Sequence, residues 1–234
     1  MGAVVAWCDP GQVQGAFANS MAQMVAYSVG AGELDGLMRK QSGPRIEDAR
    51  NGIVEGFLAS NSEWLLMVDS DMTFPPDALH RLLQVADPDD VPVVGGLCFG
   101  YQQGLGPFPT LYSWGTGGAR VMFDIDSYPE LCPVDATGAA FILFHRTIFE
   151  THRVDTPLPW FRRSIHDDQM VGEDITFCIW LRQEGVPIHV LTSLEIGHVK
   201  QFTWDRESYE ANRPDIPALW LPEPGELLVG GETH

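Results

Sequence analysis

Two aspartates follow a strongly apolar run in the stretch EWLLMVDSDMTFPPDALHRLL. Asp69 and Asp71 come directly after residues 65–68 (LLMV), and an apolar strand is not expected to end in paired carboxylates unless a positive group lies against them. Carboxylate oxygens at this spacing can hold a divalent cation that keeps coordination positions open for a diphosphate. Alternatively, both acids are turn and cap residues ahead of the next helix, since Asp favours such positions. The two acids alone do not decide between these interpretations.

The elements that must position these acids can be predicted from the spacing of the apolar residues. Residues 3–7 (AVVAW) predict a short buried strand that ends at CDPG, and residues 64–68 predict another. Between them the pattern predicts a weak strand and two amphipathic helices. The first helix carries Val13, Phe17, Met21, Met24 and Val25, and the second carries Ile46, Ile53, Val54, Phe57 and Leu58. With a third helix opened by Pro75 and Pro76, this βαβαβ order predicts an α/β fold with a parallel sheet between helices.

The acids therefore lie where such a sheet binds its ligands. In open α/β sheets, ligands bind beyond the carboxyl ends of the strands, where the loops converge. Asp69 and Asp71 follow one predicted strand, and Asp9 follows the first. We expect all three to line one cleft.

The composition excludes some partners. The chain has 14 Lys and Arg against 32 Asp and Glu, with a formal net charge of −18. Its surface as a whole should therefore repel DNA and anionic membranes, although this composition is still compatible with a local basic groove. No apolar stretch is long enough to span a membrane and the first residues lack a secretory pattern, so we expect a soluble cytoplasmic protein. Cys8, Cys98, Cys132 and Cys178 form no CxxC pair and are expected to be buried thiols.

The order of motifs along the chain resembles the GT-A glycosyltransferases, in particular family 2 and its small bacterial and phage-encoded members. The motifs are an Arg-Asn helix (DARNG), Asp-x-Asp after a strand, the strand VDATGAAFILFHR, Gly-Glu-Asp opening a helix (VGEDITF) and a late Gly-His (EIGHV). The resemblance runs from the first strand to about Val199. It implies a GT-A, Rossmann-like fold with a mixed, mainly parallel sheet flanked by helices, as a single domain over residues 1–212 with a C-terminal tail over residues 213–234.

The resemblance implies a metal site that binds the donor diphosphate. Asp69, Asp71 and His198 would form it, with Asp69 also contacting the donor ribose. Imidazole suits Mn²⁺ better than Mg²⁺, so Mn²⁺ is the expected cofactor and Mg²⁺ the alternative. By itself, His198 could equally be a histidine at a strand end that bonds to the backbone.

The resemblance also implies a nucleotide site, with a UDP-sugar as the expected donor. Asp9 is assigned to it by its position after the first strand, and either Arg50 or Arg45 by the bidentate, permanently charged guanidinium that suits a uracil or a diphosphate. The alternative is that each arginine is a helix-surface residue paired with Glu47 or Asp48.

The acceptor side is implied by the two remaining motifs. Gly138 and Ala139 resemble the floor beneath the transferred sugar, where small residues allow close approach. Trp160 is a candidate platform for stacking an acceptor sugar, with a core tryptophan as its alternative. Glu173 and Asp174 open a helix, where one acid would suffice as a cap. By motif match Asp174 is the catalytic base, and Glu173 holds the acceptor.

Three classes of function are compatible with these residues. The first is a metal-dependent transfer of a sugar from a nucleotide-sugar to an acceptor hydroxyl on a glycoside, a protein or a hydroxylated base in DNA, in a host cytoplasm if the chain is viral. The second is a nucleotidyltransferase, which normally shows a basic Gly-rich loop, and CDPGQVQG has no Lys or Arg. The third is a noncatalytic binding module. The presence of Asp71, Asp174 and His198 favours the first, while the acceptor and the oligomeric state remain open.

Overall fold

The structure is a computed structural model that describes residues 2–102, 106–115, 118–166, 169–201 and 206. The chain divides into two units, Met1–Val199 and Lys200–His234, and the account below concerns the first. The expected domain boundary at residue 212 and the expected tail over residues 213–234 lie outside the described residues.

Strands and helices alternate in the first half of the unit. The strands are β1 Ala3–Asp9, β2 Leu34–Gln41, β3 Trp64–Asp69, β4 Met72–Thr73, β5 Val93–Gln102, β6 Gly106–Pro109, β7 Leu111–Gly115, β8 Gly118–Val121, β9 Leu131–Val134, β10 Ala136–Thr137, β11 Phe141–His145, β12 Ser164–His166, β13 Gln169–Val171 and β14 Ile188–His198. The helices are α1 Gly15–Ala31, α2 Ile46–Leu58, α3 Ala78–Val85, α4 Arg146–Thr151 and α5 Glu173–Gln183, with a 3₁₀ turn at Ile125–Ser127.

One large mixed sheet organises these elements. Its strand order is β2-β1-β3-β11-β5-β14-β4, with β6 beside β5 and β9 beside β14. β1 is parallel to β2 and β3, and β14 is parallel to β5, whereas β11 joins these two parallel groups in antiparallel pairing. The predicted α/β class, a Rossmann-like sheet flanked by helices, is confirmed.

Helices cover both faces of the sheet, so its central strands are apolar on both sides. In β3, Leu65 and Met67 pack in one core cluster with α2 and α5, while Leu66 and Val68 pack in the other with α1 and α3. Successive side chains of a strand point to opposite faces, and burial on both faces explains the unbroken apolar run before the acids.

Three element boundaries differ from the sequence prediction. β1 extends two residues into CDPG, as far as Asp9, because its parallel pairing with β2 continues to Asp9 opposite Gln41. The turn follows at Gly11, where φ is 112°. α3 begins at Ala78 rather than at the prolines, and Ala78 N–H donates to Pro75 in the preceding turn. The stretch VDATGAAFILFHR, predicted as one strand, runs from the end of β9 to the start of α4 and contains two separate strands, β10 and β11, with residues 138–140 between them.

The remaining compositional expectations concern the thiols and the membrane. All four cysteines are free and buried, as predicted. Among the described residues, no helix is both long and apolar enough to cross a membrane.

Candidate active site

The carboxyl ends of β1 and β3 and the start of α5 meet at one edge of the sheet. β1 and β3 are parallel and in register, so Cys8 lies opposite Asp69. The backbone N–H of Asp69 donates to the carbonyl of Ala140 at 2.8 Å, which ties the end of β3 to the segment between β10 and β11. The sheet therefore brings the Asp-x-Asp segment beside the predicted sugar floor.

Asp71 and His198 are brought together by the short strand β4. It pairs antiparallel with the end of β14, so that Met72 lies opposite His198 and Thr73 opposite Gly197. A β-carbon at Gly197 would lie 2.3 Å from the Thr73 hydroxyl, so a larger residue there would require the Thr73 side chain to rotate away. His198 Nε2 lies 3.0 Å from Asp71 Oδ2, although the two residues are 127 positions apart.

The orientation of His198 fits a metal ligand. Its Nδ1 lies 2.8 Å from the carbonyl oxygen of Phe99 and must carry the proton, because a carbonyl only accepts. In the neutral imidazole, Nε2 then presents a lone pair to the Asp71 carboxylate, and this contact becomes favourable when either a proton or a metal cation lies between the two groups. A backbone carbonyl that holds the distal ring nitrogen is also the usual support of a ligating histidine. His198 thus has Phe99 as the backbone partner expected of a structural histidine, and its Nε2 is nevertheless directed at Asp71.

The third predicted ligand has a different partner. Asp69 Oδ1 accepts a hydrogen bond from Arg50 Nη2 at 2.9 Å. Among the described residues, no group of three or more His, Cys, Asp and Glu side chains is arranged to hold a metal ion. A divalent cation here would therefore have Asp71 and His198 as its pair of ligands, and Asp69 would have to share its carboxylate between the cation and Arg50.

Arg50 is a buried link between the two sides of the site. It is 4% exposed, and its Nη1 donates to Glu173 Oε1 at 2.5 Å while its Nη2 bonds Asp69. Burial lowers the pKa of Arg50, but the charges of Asp69, Asp174 and Glu173 outweigh it and raise that pKa above its ordinary value. Arg50 was assigned to the nucleotide; here its guanidinium joins the end of β3 to the first turn of α5.

We expect Arg50→Lys to lower the free energy of unfolding by about 1–2 kcal/mol, because one ammonium group cannot reproduce the planar fork that bonds two carboxylates. Urea unfolding followed by circular dichroism would measure the change. Arg45→Lys is the matched control. Arg45 is exposed and pairs with Asp48 at 2.8 Å, and loss of such a pair should cost less than about 0.5 kcal/mol. Equal midpoints for both variants would contradict the linking role of Arg50.

The two acids that open α5 have different surroundings. Glu173 is buried against Arg50, whereas Asp174 is partly exposed. Asp174 Oδ1 accepts from the backbone N–H of Ile175 at 2.7 Å, and Oδ2 lies 3.4 Å from the N–H of Ala139. A β-carbon at Gly138 would lie 3.7 Å from the same Oδ2. The predicted floor residues are thus adjacent to the predicted base, while Glu173 already has Arg50 as a partner.

Asp9 lies at the end of β1 and is fully engaged. Arg39 Nε and Nη2 each donate to it at 2.7 Å, Gly11 N–H donates at 2.8 Å and Trp7 Nε1 at 3.1 Å. The hydrogen bonds from Arg39 hold the pKa of Asp9 below its ordinary value. Asp9 is 1% exposed, whereas the Arg39 side chain is 47% exposed. Arg39 was missed in the sequence, although it lies opposite Trp7 in the β1–β2 register and could be found once that pairing was predicted.

A cleft of about 460 Å³ opens beside Asp9 and Arg39. It lies between α1 and β2, and apolar side chains form most of its wall. The larger ones are Trp7, Val13, Phe17, Met21, Val25 and Leu37. These apolar walls suit an aromatic ring, and the guanidinium of Arg39 is available to polar groups at the edge of that ring.

Two residues predicted for the site, Arg45 and Trp160, have their polar contacts elsewhere. Arg45 is exposed and holds Asp48 in a two-bond ion pair, the helix-surface arrangement weighed above. Trp160 is 2% exposed, and its Nε1 donates to the carbonyl of Phe149 at 2.9 Å. Its ring lies in the core and offers no face to an acceptor, so we drop Trp160 from the acceptor site. Asn51, missed in the sequence, bonds the backbone of Trp160 and Phe161 and fixes this burial.

Comparison with known proteins adds a family and a fold. The model of glycosyl transferase family 2 matches residues 44–167, which include Arg50, Asp69, Asp71 and Gly138 but not Asp174. The crystal structure described as A197 from STIV is 17% identical over 86% of this chain and 87% of its own, with a TM-score of 0.50. A structure of GalNAc-T7 with UDP, GalNAc and Mn²⁺ is 10% identical, with a TM-score of 0.57 over 86% of this chain. This chain spans 44% of that structure.

The two structures resemble this chain in fold and support the predicted GT-A architecture. No curated protein sequence matches the chain.

Proposed function

Because the chain belongs to glycosyl transferase family 2, we propose that it is a metal-dependent enzyme that moves a sugar from a nucleotide-sugar, in the first instance a UDP-sugar, to an acceptor hydroxyl. That it is a glycosyltransferase follows from the family. The metal, the donor and the residues that act are the proposal. We further propose a glycoside or a protein as acceptor rather than duplex DNA, because a net charge of −18 opposes approach to a polyanion.

The observation that carries the proposal is the contact between Asp71 and His198. Their facing atoms are 3.0 Å apart, and the bond from His198 Nδ1 to Phe99 directs the opposite ring nitrogen at the carboxylate. A neutral imidazole and a carboxylate are compatible in this geometry when a cation binds both. We assign Mn²⁺, with Mg²⁺ as the alternative, to this pair with Asp69 beside it.

On the donor side, the chain would position the nucleotide and the diphosphate. A divalent cation at this site would neutralise the diphosphate as the bond to the sugar breaks. Arg50 of α2 bonds to one oxygen of the Asp69 carboxylate. The other oxygen would then be available to accept a hydrogen bond from the donor ribose. The cleft beside Asp9 is the proposed site of the base, where Asp9 would act by holding Arg39 against it.

On the acceptor side, Asp174 is proposed to take the proton from the attacking hydroxyl in an inverting transfer. Support comes from its contact with Ala139 and its proximity to Gly138, which place a partly exposed carboxylate over small residues that leave room for a sugar. The ion pair with Arg50 occupies Glu173, so its proposed part is to fix the start of α5 rather than to hold the acceptor.

Screening a panel of nucleotide-sugars in the presence of Mn²⁺ would test the proposal without knowledge of the acceptor. We expect one donor, at about a hundred times its Kd, to raise the melting temperature by at least about 5 °C. The same donor should be hydrolysed slowly, because water can replace the acceptor. Release of the nucleotide diphosphate would be followed by chromatography.

EDTA should abolish both the thermal shift and the hydrolysis. A panel in which no nucleotide-sugar stabilises the protein with either Mn²⁺ or Mg²⁺ would overturn the proposal. Equal stabilisation with and without EDTA would agree with a nucleotide-sugar transferase but would contradict its dependence on a metal.

A further inference from the structure

A threonine hydroxyl borders the floor residue Gly138 together with the proposed base. Thr110 is the single residue between β6 and β7, and it is partly exposed. A β-carbon built on Gly138 would lie 3.7 Å from Asp174 Oδ2 and 4.0 Å from Thr110 Oγ1. Apart from the chain neighbours of Gly138, no third atom of the described residues comes within 4 Å of that point. Glycine thus leaves a small space here that two oxygen atoms border.

The end of β5 holds both this hydroxyl and the proposed metal ligand. The carbonyl of Cys98 accepts hydrogen bonds from Thr110 N–H at 2.9 Å and from Thr110 Oγ1 at 3.2 Å. The next carbonyl along the strand, that of Phe99, accepts from His198 Nδ1 at 2.8 Å. Thr110 is therefore attached to the same strand end as His198, and it borders the same small space as Asp174.

These contacts place Thr110 where the transferred sugar must lie. In the proposed reaction the sugar is attached to the diphosphate, which the cation between Asp71 and His198 would neutralise. Its anomeric carbon is attacked by a hydroxyl that Asp174 deprotonates. The sugar is thus held between the metal pair and the base, and Thr110 is linked to both by the contacts above.

The hydrogen-bonding capacity of Thr110 determines which group it can bind. A threonine hydroxyl has one proton to donate and two lone pairs that accept. The proton of Thr110 is directed to the carbonyl of Cys98, so the oxygen acts toward a ligand as an acceptor. The carboxylate of Asp174 also only accepts. The space beside Gly138 therefore suits a group that donates a hydrogen bond, such as a sugar hydroxyl or the N–H of an acetamido group.

We infer that Thr110 binds the transferred sugar by accepting a hydrogen bond from one of its hydroxyl or acetamido groups, and so selects donors that carry such a group over donors deoxygenated at that carbon. The inference rests on the proposed function, because it takes the metal pair and Asp174 as the two ends between which the sugar is held. It adds a residue that recognises the sugar itself to those proposed for the nucleotide and the diphosphate.

The test uses the donor identified by the screen above, the nucleotide diphosphate alone, and donor analogues that each lack one hydroxyl or acetamido group. Thr110→Val keeps the shape of the side chain and removes the hydroxyl. Its Kd for the donor, measured by titration calorimetry with Mn²⁺, should rise about three- to tenfold, as expected for one lost hydrogen bond. Its Kd for the nucleotide diphosphate should not change, because this ligand has no sugar.

The donor analogues locate the group that Thr110 binds. One analogue should bind the natural protein about three- to tenfold more weakly than the full donor. The same analogue should lose nothing further in Thr110→Val, because the contact is already absent, whereas the other analogues should lose as much as the full donor does.

Two control variants keep the result specific. Thr110→Ser retains the hydroxyl and should bind the donor within about twofold of the natural protein. Thr192→Val is the matched control, because Thr192 also donates its N–H and its hydroxyl to one carbonyl, that of Glu130, at 2.8 Å and 3.1 Å. Thr192 has no proposed role, and its replacement should leave the Kd for the donor unchanged.

The possible outcomes separate the two proposals. A protein that binds no nucleotide-sugar contradicts the proposed function itself. Donor binding that Thr110→Val leaves unchanged, or that Thr110→Ser weakens as much as Thr110→Val does, overturns the role of Thr110 alone. An equal loss for the donor and the nucleotide diphosphate in Thr110→Val also overturns it, since a contact with the sugar must act on the donor only. So does a series of analogues that all lose equally in Thr110→Val.

Discussion

Asp174→Asn is expected to reduce sugar transfer at least about a hundredfold while the protein keeps its fold and its affinity for the donor. The general base contributes about 10²–10⁴ to the rate in such reactions, and an amide cannot take up the proton. The amide oxygen can still accept the hydrogen bond from Ile175 N–H that the carboxylate accepts at 2.7 Å. Initial rates at saturating donor would give the loss in kcat, and calorimetric titration would give the donor affinity.

The control for this variant is an aspartate at a comparable place with no proposed role. Asp77 precedes α3 and makes no side-chain bond to cap that helix, so Asp77→Asn should transfer sugar at the natural rate. The assignment fails if Asp174→Asn is equally active. It also fails if the melting temperature of Asp174→Asn collapses, which would make the residue structural. The anomeric configuration of the product, determined by NMR, should be inverted, because a retaining enzyme does not use a base in this way.

Asp71→Ala is expected to weaken Mn²⁺-dependent binding of the donor by at least about a hundredfold. Without this carboxylate the cation would lose the ligand that faces His198, and the diphosphate would approach an acidic chain with little to neutralise it. Titration calorimetry of the UDP-sugar with Mn²⁺ and with EDTA would measure the loss.

His198→Ala should reduce the same affinity by about tenfold or more, since it removes the other member of the pair. Asp77→Ala again serves as the control. Donor affinity that is unchanged in Asp71→Ala, or an unaltered protein that is indifferent to EDTA, would remove the metal from the mechanism.

Much of the scaffold could be predicted because it depends on local patterns. The apolar runs of β1 and β3 and the helical spacing in α1 and α2 follow from burial on both faces of one sheet. These patterns also placed Asp69 at the end of a strand, so the edge of the sheet where the site lies was predictable. That Asp71 meets His198 was implied only by a resemblance, because residues 127 positions apart are joined by the pairing of β4 with β14.

The parts that could not be predicted depend on single long-range contacts. Tryptophan is a residue type that stacks on sugars, but three hydrogen bonds between Asn51 and the backbone of Trp160 and Phe161 hold this segment in the core. Asp9 was expected to face a nucleotide, yet the parallel register of β1 and β2 brings Arg39 against it. The segment before α5 forms two short strands, and a pairing of three residues a side is too short to produce a recognisable pattern in the sequence.

The two ion pairs of Arg50 also limit which segments of this enzyme could be exchanged with those of a relative. A chimera that received the segment from β12 to the end of α5 from a relative would keep Arg50 on its own α2. Unless the graft carried an acid at the position of Glu173, that guanidinium would be left with one carboxylate where it now has two. In any such exchange the first turn of α5 is therefore best retained from the parent.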